Sequence, residues 1–212
     1  MNKNLLMGAA VSALAALAMS CTTGQGPSAS ETREVGPFTR VDVGGGIGVT
    51  ITIGAAGPLT LTAQDNIRPL ITTEVVEGTL MIHSTGSYQA TAEVDVAVST
   101  PSIEGLSASG GSAIDIADLS GDALTLELTG GSRVNLDGTV DTIDLSASGG
   151  SRSETDGLAA KTVTVDLSGG SVALVQASDS VSGSASGGSS LTVQGGARLD
   201  VESSGGSTVT GG

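Results

Sequence analysis

The stretch Ser107-Ala108-Ser109-Gly110-Gly111-Ser112 decides the fold, because the same six residues recur at 146–151 and 184–189. Its last three residues, Gly-Gly-Ser, occur six times at steps of 20, 19, 20, 18 and 18 residues. A fixed period of this length is typical of architectures built from stacked repeats. The six triplets begin at Gly110, Gly130, Gly149, Gly169, Gly187 and Gly205.

Between the glycine pairs the residues alternate with a period of two, as in the apolar Leu124, Leu126 and Leu128 separated by polar residues. This pattern is typical of a β-strand with one buried face. A second short alternating run follows most glycine pairs, so two strands and two turns fit into about 19 residues. The sequence therefore predicts an all-β, single-domain parallel β-helix, or β-solenoid, with coils of about 19 residues and glycines at the corners.

Two further positions in each repeat alternate from one coil to the next. An acid occurs only in every second repeat at the third position before the glycine pair, which separates like charges that would otherwise lie on neighbouring strands. The next residue alternates small with large through the first five repeats, which suits a narrow interdigitating core. The first column is Ser107, Glu127, Ser146, Asp166, Ser184 and Glu202, and the second is Ala108, Leu128, Ala147, Leu167, Ala185 and Ser203.

The residue directly before each glycine pair is always a small hydroxyl residue. Stacked coils would align these six hydroxyls into one outward column, which forms a repeated array and not a pocket. We take this column as the candidate interaction face. It consists of Ser109, Thr129, Ser148, Ser168, Ser186 and Ser204.

Residues 1–20 have the pattern of an export signal, with a positive Lys3, an apolar run and small residues before Cys21. The segment resembles a bacterial lipoprotein signal, which implies that Cys21 becomes lipidated, although Ala18 stands where that family most often has Leu. Thr22 after the cysteine is compatible with sorting to an outer membrane if the organism has one. Residues 21–34 are polar and rich in Gly and Ser, so we predict a flexible tether behind the anchor.

Residues 35–106 are also strand-like but lack the Gly-Gly-Ser period, which predicts irregular N-terminal coils before the regular coils of 107–212. The run 38–50 resembles the opening signature of the head GIN domain, a bacterial family of adhesin-type proteins. The segments 77–82 and 94–101, leading into 106–111, resemble its next two landmarks. The resemblance covers 35–212 and implies a β-helix-like body on an exported, often lipid-anchored protein, with no catalytic residues to carry over.

Composition excludes several functions. The chain has a net charge of −14 and 1% aromatic residues, so it lacks the basic patch and the stacking platform that nucleic-acid binding requires. Membrane association is expected only through a lipid on Cys21. His83 is the sole histidine and lacks a recognisable nucleophile motif, so we interpret it as an exposed histidine at a strand end, and Tyr88 as a surface tyrosine.

Acidic residues in three successive coils offer a possible calcium ladder, since oxygen ligands suit Ca²⁺. A solvated acidic face is the favoured interpretation, because the column stops after three coils and the nonapeptide of calcium-binding β-rolls is missing. We therefore predict no metal and no cofactor. The ladder residues are Asp115, Asn135 and Glu154, with Asp137 and Asp156 two positions further on in two of the coils.

The leading functional hypothesis is a non-enzymatic lipoprotein of the bacterial envelope that acts as an adhesin or as a surface scaffold. The alternative is a polysaccharide-binding or polysaccharide-degrading protein, because long β-helices often have such activities. A third possibility is self-association, since the last repeat at Val209 and Thr210 shows no evident cap and can leave an open sheet edge.

Overall fold

A computed structural model describes residues 21–211; the predicted export signal at 1–20 lies outside the described residues. No helix among residues 21–211 has the length and apolar character needed to cross a membrane. Apart from a short 3-10 helix at Arg68–Leu70, the regular structure is all β. The strands are β1 (Thr22–Thr23), β2 (Ser28–Arg33), β3 (Arg40–Val43), β4 (Gly48–Ile53), β5 (Leu59–Gln64), β6 (Ile71–Val76), β7 (Thr79–Ser84), β8 (Tyr88–Gln89), β9 (Asp95–Thr100), β10 (Gly105–Ala108), β11 (Ala113–Leu128), β12 (Arg133–Ala147), β13 (Arg152–Leu167), β14 (Val172–Ala185), β15 (Ser190–Gln194), β16 (Arg198–Ser203) and β17 (Thr208–Gly211).

The repeat region forms the predicted parallel solenoid. Each coil pairs in register with the next along β10, β11, β12, β13 and β14, and the stack continues through β15, β16 and β17. The predicted pair of strands per coil is a single long strand in β11 to β14, bent by bulges near its middle. The bulges let one strand follow a bend without losing its pairing to both neighbours.

The glycine pairs form one corner of every coil. Both glycines have positive φ, as in Gly149 (69°) and Gly150 (83°), and the flanking residues Ser148 and Ser151 are joined by a backbone hydrogen bond. This is the left-handed turn geometry that favours glycine. A Cβ atom on Gly149 would lie 3.0 Å from the backbone nitrogen of Gly130 in the coil below, so the first glycine is also required by close stacking.

The core is a continuous aliphatic column. The alternating small and large residues Ala108, Leu128, Ala147, Leu167 and Ala185 are all at most 1% exposed, which confirms the predicted interdigitation. Ser203, which continues this column, is exposed in the last coil. The core therefore opens toward the C-terminal end of the stack.

The N-terminal region stacks out of sequence order. Strand β3 lies between β7 and β10, and β4 lies between β9 and β11, so the coil made by β3 and β4 is inserted between two coils that come later in the chain. Antiparallel pairs close the stack at this end: β6 with β7, β5 with β9, and β2 with β5. Leu59, Leu61 and Ile67 are fully buried beneath them.

The predicted flexible tether over 21–34 is wrong for most of its length. Residues Ser28–Arg33 form an edge strand on β5, and Thr22–Thr23 pair with β8. Gln64 is buried and its side-chain amide donates to the carbonyl of Gly26, while the Arg33 guanidinium donates to the carbonyl of Ile71 at 2.7 Å. A polar edge strand exposes most of its side chains, so its composition resembles that of a linker.

Candidate interaction face

Every second coil presents a carboxylate in one outward column, as predicted, and the parallel register sets this spacing. Glu127 lies beside Ser107 and Ser146, and Asp166 lies beside Ser146 and Ser184. The Ser184 hydroxyl donates to the Asp166 carboxylate at 3.1 Å. The structure adds Asp42 of β3 below Ser107, so the pattern extends into the N-terminal region. We call Asp42, Ser107, Glu127, Ser146, Asp166, Ser184 and Glu202 the acid-hydroxyl column.

A second outward column runs beside the acid-hydroxyl column on the same strands. Its members precede those of the first column by two residues, so their side chains point to the same side of the sheet. They are mainly Thr, Ser and Asp, and most are exposed. This neighbouring column consists of Arg40, Gly105, Thr125, Asp144, Thr164, Ser182 and Asp200.

The predicted hydroxyl column borders these two columns where the sheet meets the glycine corner. Thr129 and Ser204 are exposed, whereas the other four members are half-buried. The hydroxyl groups of Ser109 and Ser186 donate to backbone carbonyls of the preceding coil at 3.4 Å, so part of the column is engaged in the turn. We call this set, Ser109, Thr129, Ser148, Ser168, Ser186 and Ser204, the corner column, and the three columns together the hydroxyl-acid face.

A second set of serines, which the sequence reasoning did not single out, lies inside the corner. The serine after each glycine pair is buried in the first five repeats and half-buried in the last. Ser132 donates to the carbonyl of Ala108 at 2.8 Å, and Ser171 donates to that of Ala147 at 3.0 Å. The signal was the invariant Ser of Gly-Gly-Ser. This buried serine ladder is Ser112, Ser132, Ser151, Ser171, Ser189 and Ser207.

A shallow groove of about 310 Å³ crosses the hydroxyl-acid face at β10. It forms where Gly105 provides no side chain between Arg40 and Thr125 in the neighbouring column. Asp42 and Glu127 also line it, so one guanidinium and two carboxylates surround the opening. This combination of charges and hydroxyl groups suits a polar ligand with both donors and acceptors.

The single histidine and the single tyrosine of the chain lie close to the glycines Gly44 and Gly45, which follow β3. His83 is not an exposed strand-end histidine but is half-buried, with Nε2 3.6 Å from Oδ2 of Asp42. The Tyr88 hydroxyl donates to the carbonyl of Gly45 at 2.7 Å, and burial raises the pKa of Tyr88. A Cβ atom on Gly44 would lie 2.9 Å from Oγ of Ser109 and 3.0 Å from Nδ1 of His83, so glycine is needed here for close packing.

The residues of the candidate calcium ladder are aligned on adjacent strands, but their side chains bind to neighbouring side chains of the protein. Asp115, Asn135 and Glu154 are neighbours on β11, β12 and β13. The Asn135 amide donates to the Asp115 carboxylate at 3.2 Å, and Arg152 contacts Glu154 at 2.6 Å. Among residues 21–211, no three His, Cys, Asp or Glu side chains converge on a position that could hold a metal ion.

Lys161 on β13 partly offsets the negative charge of neighbouring carboxylates. Lys161 contacts the Asp141 carboxylate at 2.7 Å, and this hydrogen bond, together with the negative charge of Asp141, raises the pKa of Lys161. Both groups are well exposed, so the pair adds little to stability. Cys21, the predicted lipidation site, is exposed at the start of the described chain.

Solved structures with the same fold are known. A putative adhesin from Bacteroides fragilis is 19% identical, with a TM-score of 0.73 over 89% of this chain and 99% of that chain. A putative adhesin from Parabacteroides merdae is 14% identical, with a TM-score of 0.61 over 90% and 98%. A putative lipid binding protein from Parabacteroides distasonis is 13% identical, with a TM-score of 0.55 over 91% and 100%. At these identities the similarity shows the fold.

No curated protein matches the chain. A family model described as "putative auto-transporter adhesin, head GIN domain" matches residues 37–197. This match covers most of the chain, including the inserted N-terminal coil and all but the last of the regular coils. It agrees with the resemblance seen at 38–50, 77–82 and 94–101. The protein therefore belongs to the head GIN domain family of adhesin-type surface proteins.

Proposed function

We propose that this protein is a non-enzymatic lipoprotein of the bacterial envelope that uses its hydroxyl-acid face for attachment. Family membership supports an adhesin-type role at the surface. The small residues before Cys21, and the exposure of that cysteine, support a lipid anchor. Because Thr22–Thr23 pair with β8, the anchor is joined directly to the folded body.

The observation that carries the proposal is the regular polar array on the parallel sheet. In the acid-hydroxyl column every coil presents either a hydroxyl group or a carboxylate, and neighbouring groups are separated by one strand spacing, about 4.8 Å. An extended partner can contact equivalent groups on several coils at once, so weak contacts add up along the stack. The net charge of −14 favours a partner whose surface is cationic or rich in hydrogen-bond donors.

To test attachment, two carboxylates of the hydroxyl-acid face are replaced by amides, which removes their negative charge and keeps the size of the side chains. The double variant Glu127→Gln with Asp166→Asn is expected to weaken attachment of cells that display the protein. The matched control, Asp115→Asn with Asp156→Asn, removes the same charge from outside the face and is expected to attach normally. Equal attachment by both double variants would overturn the assignment of this face.

The anchor and the location need a separate test. Labelled fatty acid is expected to be incorporated into the wild-type protein and not into Cys21→Ser, which is expected to be released from the membrane. Protease added to intact cells is expected to digest the folded body. Protection of the body until the envelope is broken would contradict surface attachment and would favour a scaffold inside the envelope.

The groove at Gly105 favours a second candidate function, polysaccharide binding. Its volume of about 310 Å³ and its lining by Arg40, Asp42 and Glu127 suit a polyhydroxylated chain lying across the strands. The variant Gly105→Gln is designed to fill the groove, since the three atoms nearest to an added Cβ all belong to the flexible Arg40 side chain. Retardation of the wild type, but not of Gly105→Gln, in gels containing envelope polysaccharide would support this function. Equal mobility with and without polysaccharide would exclude it for the polymers tested.

A further inference from the structure

The two ends of the solenoid differ in how their edges are protected. At the N-terminal end, antiparallel strands cover the core, and Glu31 of β2 contacts Arg33 on the same strand at 2.9 Å and Arg68 of the 3-10 helix at 3.1 Å. Charges of this kind prevent edge strands from pairing with other chains. At the C-terminal end, β16 and β17 pair only with strands below them among residues 21–211.

The C-terminal end also exposes apolar side chains. Leu199 is 36% exposed, and Val201 and Val209 are only partly buried although they pack on the core. The amide of Ser204 donates to the carbonyl of Ala185. Since alternate residues of a parallel ladder face the same neighbour, Leu199 and Val201 direct their own amides and carbonyls toward the open side.

The two open edges end at different heights. Strand β16 rests on β14, whereas β17 rests on β15, which itself rests on β14. Since a solenoid rises steadily along its path, β17 lies about half a coil above β16. A second copy that paired its β16 with this β16 would bring the two β17 strands to the same level, where they would collide. If each β16 instead pairs with the β17 of the other copy, the higher strand of one copy lies on the lower strand of the other, and both height differences are filled.

We propose that the C-terminal end is a self-recognition surface, on which two copies join head to head by antiparallel pairing of β16 of each with β17 of the other. A two-fold axis perpendicular to the solenoid makes the strands antiparallel. The arrangement is a closed dimer, because the covered N-terminal ends face outward and cannot continue the stack. It places the two hydroxyl-acid sheets in one longer body.

The side chains on the two strands fit this pairing. Centring the four residues of β17 on β16 places Val209 opposite Val201 of the other copy, on the core side of the sheet. On the outer side, Thr210 lies opposite Asp200 and Thr208 lies opposite Glu202. Each acid thus meets a hydroxyl donor, and no like charges lie opposite each other.

The test measures the mass of the Cys21→Ser protein by sedimentation over a range of concentrations, since this variant carries neither lipid nor a reactive thiol. The expected result is a reversible transition from monomer to dimer. Leu199→Glu places a charge in the contact, and Val201→Pro removes an amide that points to the open edge, so both are expected to remain monomeric and folded. The matched control, Val76→Glu, changes the other large exposed apolar residue of the described range 21–211, at the covered end, and is expected to dimerise.

A crosslink tests the strand assignment. In the Cys21→Ser background, Asp200→Cys with Thr210→Cys is expected to form a disulfide-linked dimer on oxidation, because these positions face each other as a close antiparallel pair. Each single variant is expected to stay uncrosslinked. A parent protein that is monomeric at every concentration, a mass that grows beyond the dimer, or loss of association in Val76→Glu would overturn the proposal.

Discussion

The two halves of this molecule share one sheet but are stabilised differently. The regular coils of 107–211 are held by repetition, since every strand, glycine corner and buried serine is matched by an equivalent group one coil away. The region 35–106 repeats nothing and is held by specific pairings, such as the inserted coil of β3 and β4. Repetition therefore builds the stack but cannot end it, whereas irregular structure can.

The largest expected effect comes from breaking the close approach of two coils. Gly183 has a φ of 130°, and a Cβ atom there would lie 1.9 Å from the carbonyl oxygen of Val165. Gly183→Ala is expected to cost at least about 4 kcal/mol of unfolding free energy, through backbone overlap and strain together. The control is Gly206→Ala at the open end, where nothing lies within 4 Å, and it is expected to cost about 1 kcal/mol. Urea denaturation measures both, and equal losses would contradict the stacking argument.

The next effect compares the core at the centre of the stack with the core at its open end. Leu145 is fully buried, so Leu145→Ala is expected to lower the free energy of unfolding by about 2–5 kcal/mol. Leu199 is 36% exposed, and Leu199→Ala is expected to cost less than about 1 kcal/mol when the protein is monomeric. If thermal and urea denaturation gave the same loss for both, the core would not be graded along the stack.

A smaller effect tests the buried serine ladder. Ser132→Ala removes one of two donors to the carbonyl of Ala108, which keeps the amide of Thr129, and is expected to cost about 1 kcal/mol. Ser207→Ala makes the same change in the half-exposed last coil, where water can replace the lost bond, and is expected to cost less than about 1 kcal/mol. The exposed Ser146→Ala serves as the control and is expected to be nearly neutral in the same urea titration. A loss for Ser146→Ala as large as that for Ser132→Ala would remove the special role of the ladder.

The smallest expected effect is an increase in the free energy of unfolding. Ser153 is fully buried between Val134 and Ala173 of the adjacent coils, and its hydroxyl has no hydrogen-bond partner among the described residues. Ser153→Ala is expected to raise the free energy of unfolding by about 1 kcal/mol, since it removes an unsatisfied polar group. A lower melting temperature for this variant would show that the hydroxyl group makes a contact that stabilises the native protein.

The sequence predicted those features that repeat. The glycine corners, the alternating Ala and Leu core and the alternating acids all follow from one period, and a single aligned column such as Ser107, Glu127 and Ser146 was enough to place them. The edge strand Ser28–Arg33 could not be predicted, because its polar composition matches a linker and its partner β5 lies far along the chain. The insertion of β3 and β4 depends on contacts distant in sequence and leaves no periodic signal.

The candidate face was only partly predictable. The corner column followed from the residue before each glycine pair, but Asp42 comes from the region without repeats and joins the acid-hydroxyl column only through the inserted coil. The position of His83 beside Asp42 has the same cause, since β7 pairs with β3, which lies far from it in the sequence, as well as with the adjacent β6.

Hydrogen exchange tests most directly the claim that one stack is closed at its N-terminal end and open at its C-terminal end. The Cys21→Ser protein would be measured at a concentration at which it is monomeric, with protection read strand by strand. We predict strong protection of β5, β7, β9 and β11 to β13, falling through β14 and β15 to weak protection of β16 and β17. Uniform protection along the whole stack, or weaker protection at the N-terminal end than at β16 and β17, would show that the stack is not closed at its N-terminal end and open at its C-terminal end.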